Sequence, residues 1–568
     1  MKNSVRILYP ALIGLLILAN CKRKSTSYSY KDYNRDFKSN KLPDNIKRPK
    51  DLKSSWGEFT GDSISLTSIE NYINANPGLA RFKASAKEFY IRRNFEYAWF
   101  VPEGVSSQTE VLFNLVNSGQ KQTALTQDSI NHAYIMVRQD PDQKRAKKRL
   151  QELEYNLTFT FFDYAKREWE GNDDRVVKQL EWYIPKKKIS YGALLDTVLM
   201  KDGDISVPVY NQYEKLKPFL EKHKDIARKG GLPYVTLRKK SLKRGDSSTT
   251  VKEIRKALYI LGDISNDNGS STFDVTLESA VIKFQKRHGL EADGKIGKGV
   301  VSEINTPVRS RIETILINME RCRWVPFDYK NEYLMVNIPA YKLYAYNENK
   351  LQWDMNVVVG KTTNQTIIFN GDLQYMVVNP YWNIPPNIFS KEVLPKLRKN
   401  PGWVARNNME VVLASDPNTV IDPATVDWNI PTENYNKYLV RQKPGTTNAL
   451  GGIKFLFPNQ YNIYLHDTPE KDLFALPNRS FSHGCIRLGE PFKLAEYLLK
   501  DEPNWTMSSI NKLRESNKEQ YITLKKKMPV FIAYFTAWVD EDGNLNFRRD
   551  IYGHDQKMGD LILEKEVL

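Results

Sequence analysis

The chain has 568 residues, too many for one hydrophobic core, which predicts roughly two to four domains. Hydrophobic residues make up 41% and aromatic residues 12% of it, values typical of folded proteins. The net charge of +17 would suit nucleic acid, anionic lipid or an anionic cell wall, or would simply serve solubility. The sequence has no arginine-rich recognition helix, zinc-finger spacing or RNP-like strand, so we expect no nucleic-acid partner.

Residues 1–20 have the layout of a secretory signal peptide. Lys2 and Arg6 precede an apolar run, at 7–19, that is short for a membrane span. The tetrapeptide LANC, which ends at Cys21, is similar to a bacterial lipoprotein box. That similarity implies cleavage before Cys21, lipidation of its thiol and attachment of the chain to a membrane as a periplasmic lipoprotein. An uncleaved anchor helix is the alternative.

A tether and a helical region are expected next. Residues 21–55 are basic and polar with no apolar period, which predicts a flexible tether. From Ser68 apolar residues recur every three or four positions, which predicts a helical domain at 56–234. We expect a helix from Asn76 that ends at Pro102 and a long amphipathic helix over 144–170.

Residues 235–306 are predicted to form a small module of two or three short helices. Phe284-Gln285, His288-Gly289-Leu290, Asp293-Gly294 and Ile296-Gly297 resemble the signature of type 1 peptidoglycan-binding modules. The resemblance implies three helices and a glycan-strand partner. We expect His288 to be a structural or surface histidine and not a metal ligand.

Beyond Arg323 the apolar period becomes two, which predicts a mainly β domain and an overall multidomain α+β fold. A strand turn is expected at NENK (347–350), a helix after the prolines at 385–386, another after residue 489, and a late hairpin. The stretch at about 400–450 is a candidate capping segment, with a simple surface insertion as the alternative.

The sequence RSFSHGCIRL holds the residues with the clearest chemistry. His483 and Gly484 directly precede Cys485, and His466 lies nineteen residues before it. A thiol becomes a strong nucleophile when an imidazole accepts its proton, and His466 is placed at the end of a predicted strand. Gly484 permits a tight turn that can direct main-chain N–H groups at a developing oxyanion. These residues predict a cysteine nucleophile.

Two other interpretations of the same residues stay open. His466, His483 and Cys485 could bind zinc, although carboxylates would have to complete the coordination shell. Cys485 could also be a buried thiol beside incidental histidines. Cys322 lies in an apolar, helix-like stretch, which predicts a small buried side chain.

The pattern H-x15-S-H-G-C-x-R, from His466 to Arg487, resembles the signature of L,D-transpeptidases with a YkuD-type catalytic domain. The segments 357–361, 379–388 and 529–555 are similar to the large periplasmic branch of that family. The resemblance covers about residues 65–560. It implies a scaffold domain (56–234), a peptidoglycan-binding module (235–306), a return helix to the scaffold (307–330) and a catalytic domain (331–568).

The resemblance also implies a reaction. Cys485 would attack the diaminopimelate–D-Ala bond of a tetrapeptide stem, release D-Ala and form a thioester, with His466 as proton acceptor and donor. An amine of another stem would then form a 3→3 cross-link. The main-chain carbonyl of Asp467 would orient His466. Many family members have glycine at that position, so the aspartate puts the local turn in question.

Further roles follow from the same resemblance. His483, Gly484 and the Cys485 amide would line the oxyanion pocket, and Arg487 would hold the motif or a substrate carboxylate. The candidate substrate-binding residues are Tyr464, Ser482 and Trp382. No metal and no cofactor is implied.

Other functions fit the same sequence. The site could act as an L,D-carboxypeptidase or exchange D-amino acids, since the first half-reaction is shared. The chain could also be a non-catalytic lipoprotein that anchors peptidoglycan. The expected partners are peptidoglycan stem peptides and glycan strands, and a membrane reached through the lipid on Cys21.

Overall fold

The computed structural model describes residues 64–101, 104–118, 127–200, 209–326, 332–429 and 437–562. They divide into two compact units, one of residues 64–169 and 189–200 and one of residues 170–188 and 209–562. The predicted signal peptide (1–20), the predicted tether with Cys21 (21–55) and the first residues of the predicted scaffold (56–63) lie outside the described residues. Within the described ranges, no helix has the length and apolar content to cross a membrane.

The first unit is helical, as the apolar period predicts. Its helices are Leu66–Ala75, Lys83–Arg92, Gln108–Ser118, Gln127–Arg138, Gln143–Ala165 and Tyr191–Met200, with a 3₁₀ turn at Pro77–Phe82. The long amphipathic helix begins at Asp142, whose carboxylate accepts the main-chain N–H groups of residues 144 and 145. Its apolar side is buried. A π-helical turn, Lys166–Glu170, follows it.

The prediction of a helix that runs to Pro102 is wrong. The helix ends at Arg92, because Asn94 and Phe95 adopt left-handed backbone angles, with φ of 57° and 65°. The chain then forms strand β1 (Phe100–Val101), which pairs with β2 (Gly104–Val105). The apolar spacing alone did not reveal this break.

The second unit contains a three-helix module, as predicted. Its helices are Thr249–Leu261, Val275–Arg287 and Lys298–Ile304, and they enclose their own apolar core. His288 is buried, with its ring 3.9 Å from the Phe284 ring and 5.8 Å from the Phe547 ring. Burial holds its pKa well below the usual range. The prediction of a structural histidine is confirmed.

The rest of the second unit is mainly β, which agrees with the predicted period of two. Its strands in chain order are β3 Tyr333–Asn337, β4 Lys342–Asn347, β5 Lys350–Gly360, β6 Phe369–Val378, β7 Trp382–Asn383, β8 Met409–Leu413, β9 Val420–Ile421, β10 Tyr438–Gln442, β11 Ile453–Leu456, β12 Leu465–His466, β13 Ser480–Ser482, β14 Ile486–Leu488, β15 Gln520–Ala533, β16 Ala537–Val539 and β17 Leu545–Phe547. The predicted turn is a two-residue hairpin between β4 and β5, where Glu348 and Asn349 have positive φ.

The main sheet has the strand order β13-β5-β14-β12-β11-β6-β15-β3-β4. Strand β4 also pairs with β5, so the sheet closes on itself. Helices flank the strands at Asp174–Gln179, Gln212–Arg228, Val308–Trp324, Pro491–Leu499, Met507–Glu515 and His554–Ile562. Cys322 is completely buried in one of these helices, as predicted.

A smaller sheet forms a separate layer that we call the cap (residues 382–429 and 437–442). Its strand order is β7-β10-β8-β9, and short helices at Pro386–Ile388, Leu394–Lys399 and Trp403–Arg406 accompany it. Apolar residues from both parts form its core. The predicted capping segment at about 400–450 therefore overlaps a folded element that already begins at Trp382.

Candidate active site

Strands β12 and β14 place His466 and Arg487 on one face of the main sheet, and Cys485 directly precedes β14. The two strands are parallel, with Leu465 opposite Ile486 and His466 opposite Arg487. Leu465 and Ile486 are completely buried in the core. Because side chains alternate along a strand, His466, Arg487 and the preceding Cys485 belong to the opposite face.

His466 is held as a neutral, oriented imidazole. Its ring is buried, and its Nδ1 lies 2.5 Å from the main-chain oxygen of Asp467. A carbonyl can only accept a hydrogen bond, so Nδ1 carries the proton and Nε2 keeps its lone pair. Burial, and next the positive charge of Arg487, lower the His466 pKa to about 4. The ring is therefore a free base at neutral pH.

The aspartate at position 467, where many family members have glycine, is accommodated in the turn after His466. Its Oδ2 accepts the main-chain N–H of Gly452 at 2.8 Å, and its Oδ1 pairs with the Lys471 ammonium. Gly451 has φ of 60°, and a Cβ there would lie 2.4 Å from the Asp467 carboxyl carbon. The aspartate thus ties the end of β12 to the preceding turn, while its carbonyl remains directed at His466.

The Cys485 thiol lies beside Tyr464. Its Sγ donates a hydrogen bond to the main-chain oxygen of Asn462 at 3.7 Å. Burial raises the Cys485 pKa to about 11, although the Tyr464 hydrogen bonds and the charge of Arg487 act in the opposite direction. The Tyr464 and His466 ring centroids are 5.7 Å apart. The resting pair is a neutral thiol and a neutral imidazole.

This electrostatic state predicts how Cys485 reacts with iodoacetamide. Only the thiolate is alkylated, so the rate should rise about tenfold per pH unit from about pH 7 towards 10. Tyr464→Phe should shift this rise to higher pH, because the lost hydroxyl donor favours the thiolate. Mass-spectrometric alkylation rates across pH would measure both effects. A rate that is already high and constant between about pH 5 and 8 would instead reveal a resting imidazolium–thiolate pair.

The loop before Cys485 is fixed by its own hydrogen bonds. The Ser482 hydroxyl donates to the Cys485 main-chain oxygen at 2.5 Å and accepts the Gly484 N–H at 3.1 Å. The buried Thr366 hydroxyl donates to the Gly484 oxygen at 2.9 Å. Gly484 has φ of 116°, which only glycine adopts readily. In the resting site, therefore, the Gly484 N–H is engaged by Ser482, which is the buried last residue of β13.

The other predicted residues point to neighbouring elements. His483 Nε2 lies 2.9 Å from the Glu392 carboxylate, which belongs to the cap. Arg487 forms an ion pair with Glu470. Trp382 is half-buried against the cap core, and its strand pairs with β10. Among the described residues, no group of three or more His, Cys, Asp or Glu side chains is arranged to hold a metal ion.

Several partners of the site could not be found from the motif. Thr366, Glu392 and Glu470 lie on separate segments, and each makes its contact only after the strands and the cap are assembled. Lys471 offers a weak sequence signal, because it follows Asp467 by four residues. Thr366, Glu392 and Glu470 have no comparable spacing from the residues that they contact, so the sequence does not indicate their roles.

Comparisons with known proteins agree with the architecture. Family models match residues 331–532 as "L,D-transpeptidase catalytic domain" (YkuD), residues 84–220 as "Scaffold domain" and residues 247–303 as "Putative peptidoglycan binding domain". The predicted resemblance to both the catalytic and the peptidoglycan-binding families is thereby confirmed. So is the predicted fold class, with a helical scaffold, a three-helix module and a mainly β YkuD-type domain.

The chain is also similar to individual proteins. A protein of Haemophilus influenzae named "Putative L,D-transpeptidase" is 37% identical over 246 residues, which cover 43% of this chain and 49% of that protein. The chain thus matches about half the length of this curated relative. An L,D-transpeptidase structure from Xylanimonas cellulosilytica is 13% identical, covers 52% of this chain and 100% of its own, and has a TM-score of 0.17. One from Stackebrandtia nassauensis is 14% identical, with 52% and 97% covered and a TM-score of 0.20.

Proposed function

We propose that this chain, in which a YkuD-type L,D-transpeptidase catalytic domain follows a peptidoglycan-binding module, is a cell-wall transpeptidase with Cys485 as its nucleophile. The observation that carries the proposal is the pairing of β12, which ends at His466, with β14, which directly follows Cys485. The Asp467 carbonyl fixes the tautomer of the imidazole, and burial keeps the ring neutral. A buried base with one tautomer fixed is what a thiol needs for activation.

The first half-reaction forms a thioester. His466 Nε2 takes the Cys485 proton as the sulfur attacks the carbonyl carbon of the diaminopimelate–D-Ala bond in a tetrapeptide stem. The C–N bond of the resulting tetrahedral intermediate breaks, and the imidazolium returns the proton to the departing D-Ala amine. His466 and Cys485 are charged only during this step, which agrees with the neutral imidazole and neutral thiol of the resting site.

The second half-reaction consumes the thioester. An amine of another stem attacks the thioester carbonyl, gives its proton to His466 and displaces the Cys485 sulfur, which is reprotonated. The product is a 3→3 cross-link. Water or a free D-amino acid in place of the stem amine would give carboxypeptidase or exchange activity at the same site. The adjacent peptidoglycan-binding module favours polymer as the acceptor.

Other side chains complete the proposed site. The main-chain N–H of Cys485 is assigned to the developing oxyanion, and the Gly484 N–H could join it only after it leaves Ser482. His483 is assigned to the cap side of the pocket through Glu392. Arg487 lowers the pKa of both reacting groups and holds Glu470, so we assign it a positioning role. Tyr464 borders the sulfur.

The proposal includes a place in the cell. A cell-wall enzyme belongs to the cell envelope, and we propose a periplasmic protein whose Cys21, beyond the described residues, carries the lipid anchor. We also keep the proposed boundaries 56–234, 235–306, 307–330 and 331–568 for its domains.

Mass spectrometry of the intact protein tests this function. Incubation with purified tetrapeptide muropeptide should add the mass of the stem without D-Ala to the enzyme, and release one D-Ala per adduct. Added acceptor stem should clear the adduct and yield dimers. An enzyme that releases D-Ala only by hydrolysis, with no dimers, would be an L,D-carboxypeptidase. The absence of both adduct and D-Ala would contradict the catalytic proposal.

A further inference from the structure

One face of the cap carries uncompensated positive charge. We call Lys391, Lys396, Lys399 and Arg406 the basic cap face, and all four side chains are exposed. Within the described ranges, no carboxylate forms an ion pair with any of them. Lys396 lies over the Trp403 ring at 4.8 Å, which joins the two helical segments of the face.

This face begins at the active-site loop. Lys396 and Lys399 are three residues apart in the helix Leu394–Lys399, so they project from the same side of it. Glu392 lies in the π-helical turn Phe389–Val393, which directly precedes that helix. Glu392 contacts His483, two residues before Cys485. The basic cap face therefore extends outward from the edge of the pocket, and is not an isolated patch elsewhere on the surface.

None of the described acidic groups of the cap forms an ion pair with this face. Glu392 is engaged with His483, and Glu410 pairs with Arg441 across β8 and β10. The other described carboxylates of the cap, Asp416, Asp422 and Asp427, lie in the segment that follows β8. The positive charge of the face is therefore not neutralised by ion pairs within the described part of the cap, as a binding surface for a polyanion requires.

We propose that the basic cap face binds carboxylates on the stem peptides of an intact peptidoglycan strand whose neighbouring stem occupies the active site. Stem peptides carry several free carboxylates, which complement a row of ammonium and guanidinium groups. This inference rests on the proposed function and extends it, because it makes the cap a receptor for polymer. Soluble single stems are too short to use the whole face.

Co-sedimentation with purified sacculi tests the proposal. The variant Lys396→Gln/Lys399→Gln/Arg406→Gln should bind sacculi about tenfold more weakly than wild type at about 50 mM salt, and the difference should shrink as salt rises. Sacculi whose carboxylates have been coupled to ethanolamine should bind the wild type and this triple variant equally. The matched control Lys512→Gln/Lys518→Gln/Lys527→Gln removes the same charge from exposed positions on another surface and should bind like wild type.

The outcomes separate this proposal from the catalytic one. Adduct formation by wild type with soluble tetrapeptide tests catalysis alone, whatever the sacculi show. Equal weakening in the two triple variants would overturn the basic cap face, because net charge alone would then explain binding. Unchanged sacculus binding together with weakened binding to anionic phospholipid vesicles would also overturn it, and would assign the face to a membrane.

Discussion

Cys485→Ala should eliminate 3→3 dimers and reduce D-Ala release from tetrapeptide muropeptides by at least about a thousandfold. The substitution removes the sulfur to which we assign the thioester. It should leave the loop intact, because the main-chain oxygens of Cys485 and Gly484 are held by the Ser482 and Thr366 hydroxyls and not by the sulfur. Chromatography of the digested products, with the intact-protein mass, measures both losses.

Cys322→Ala is the matched control, since it removes the other described cysteine. That thiol is fully buried, and burial raises its pKa, so it has no access to substrate as thiolate. We expect normal dimer formation and a loss of stability of about 1 kcal/mol from the small cavity. Dimers that persist in Cys485→Ala would refute the nucleophile, and dimers lost in Cys322→Ala would point to a structural effect.

Much of the fold was predictable because the periodic segments are long. The change from a helical period to a period of two correctly divides the helical regions from the β domain near Arg323. Local turn chemistry also located the hairpin at Glu348 and Asn349. The early end of the helix at Arg92 was not predictable, since its apolar spacing continues and only the backbone angles at 94 and 95 break it.

The site was predictable to the extent that its residues are adjacent in sequence. His466 ends β12, which pairs with β14 directly after Cys485, and strand ends with a following loop were the expected location. Nothing in the sequence indicated that β7 at Trp382 belongs to the cap sheet, because β7 joins that sheet only through its pairing with β10. The contact between Glu392 and His483 could not be predicted from the motif for the same reason, because the two residues are far apart in the sequence.

His466→Gln should lower the acylation rate at neutral pH by about a thousandfold or more, because the Cys485 thiol, with a pKa of about 11, then has no base. The pH profile should change as well. The wild-type rate should rise as His466 loses its proton near pH 4 and then level off, since a lowered pKa leaves the imidazole neutral above it. The variant rate should instead keep rising about tenfold per pH unit towards 11, as solvent ionises the thiol.

Rates of adduct formation with soluble tetrapeptide, measured for both proteins across pH, decide between these profiles. His132→Gln makes the same change at an exposed position in the helical unit and should retain the wild-type plateau. A His466→Gln variant that also levels off would show that another group takes the proton. The plateau therefore measures the role that we propose for His466, in which Asp467 holds the Nδ1 proton and Nε2 accepts the proton of the thiol.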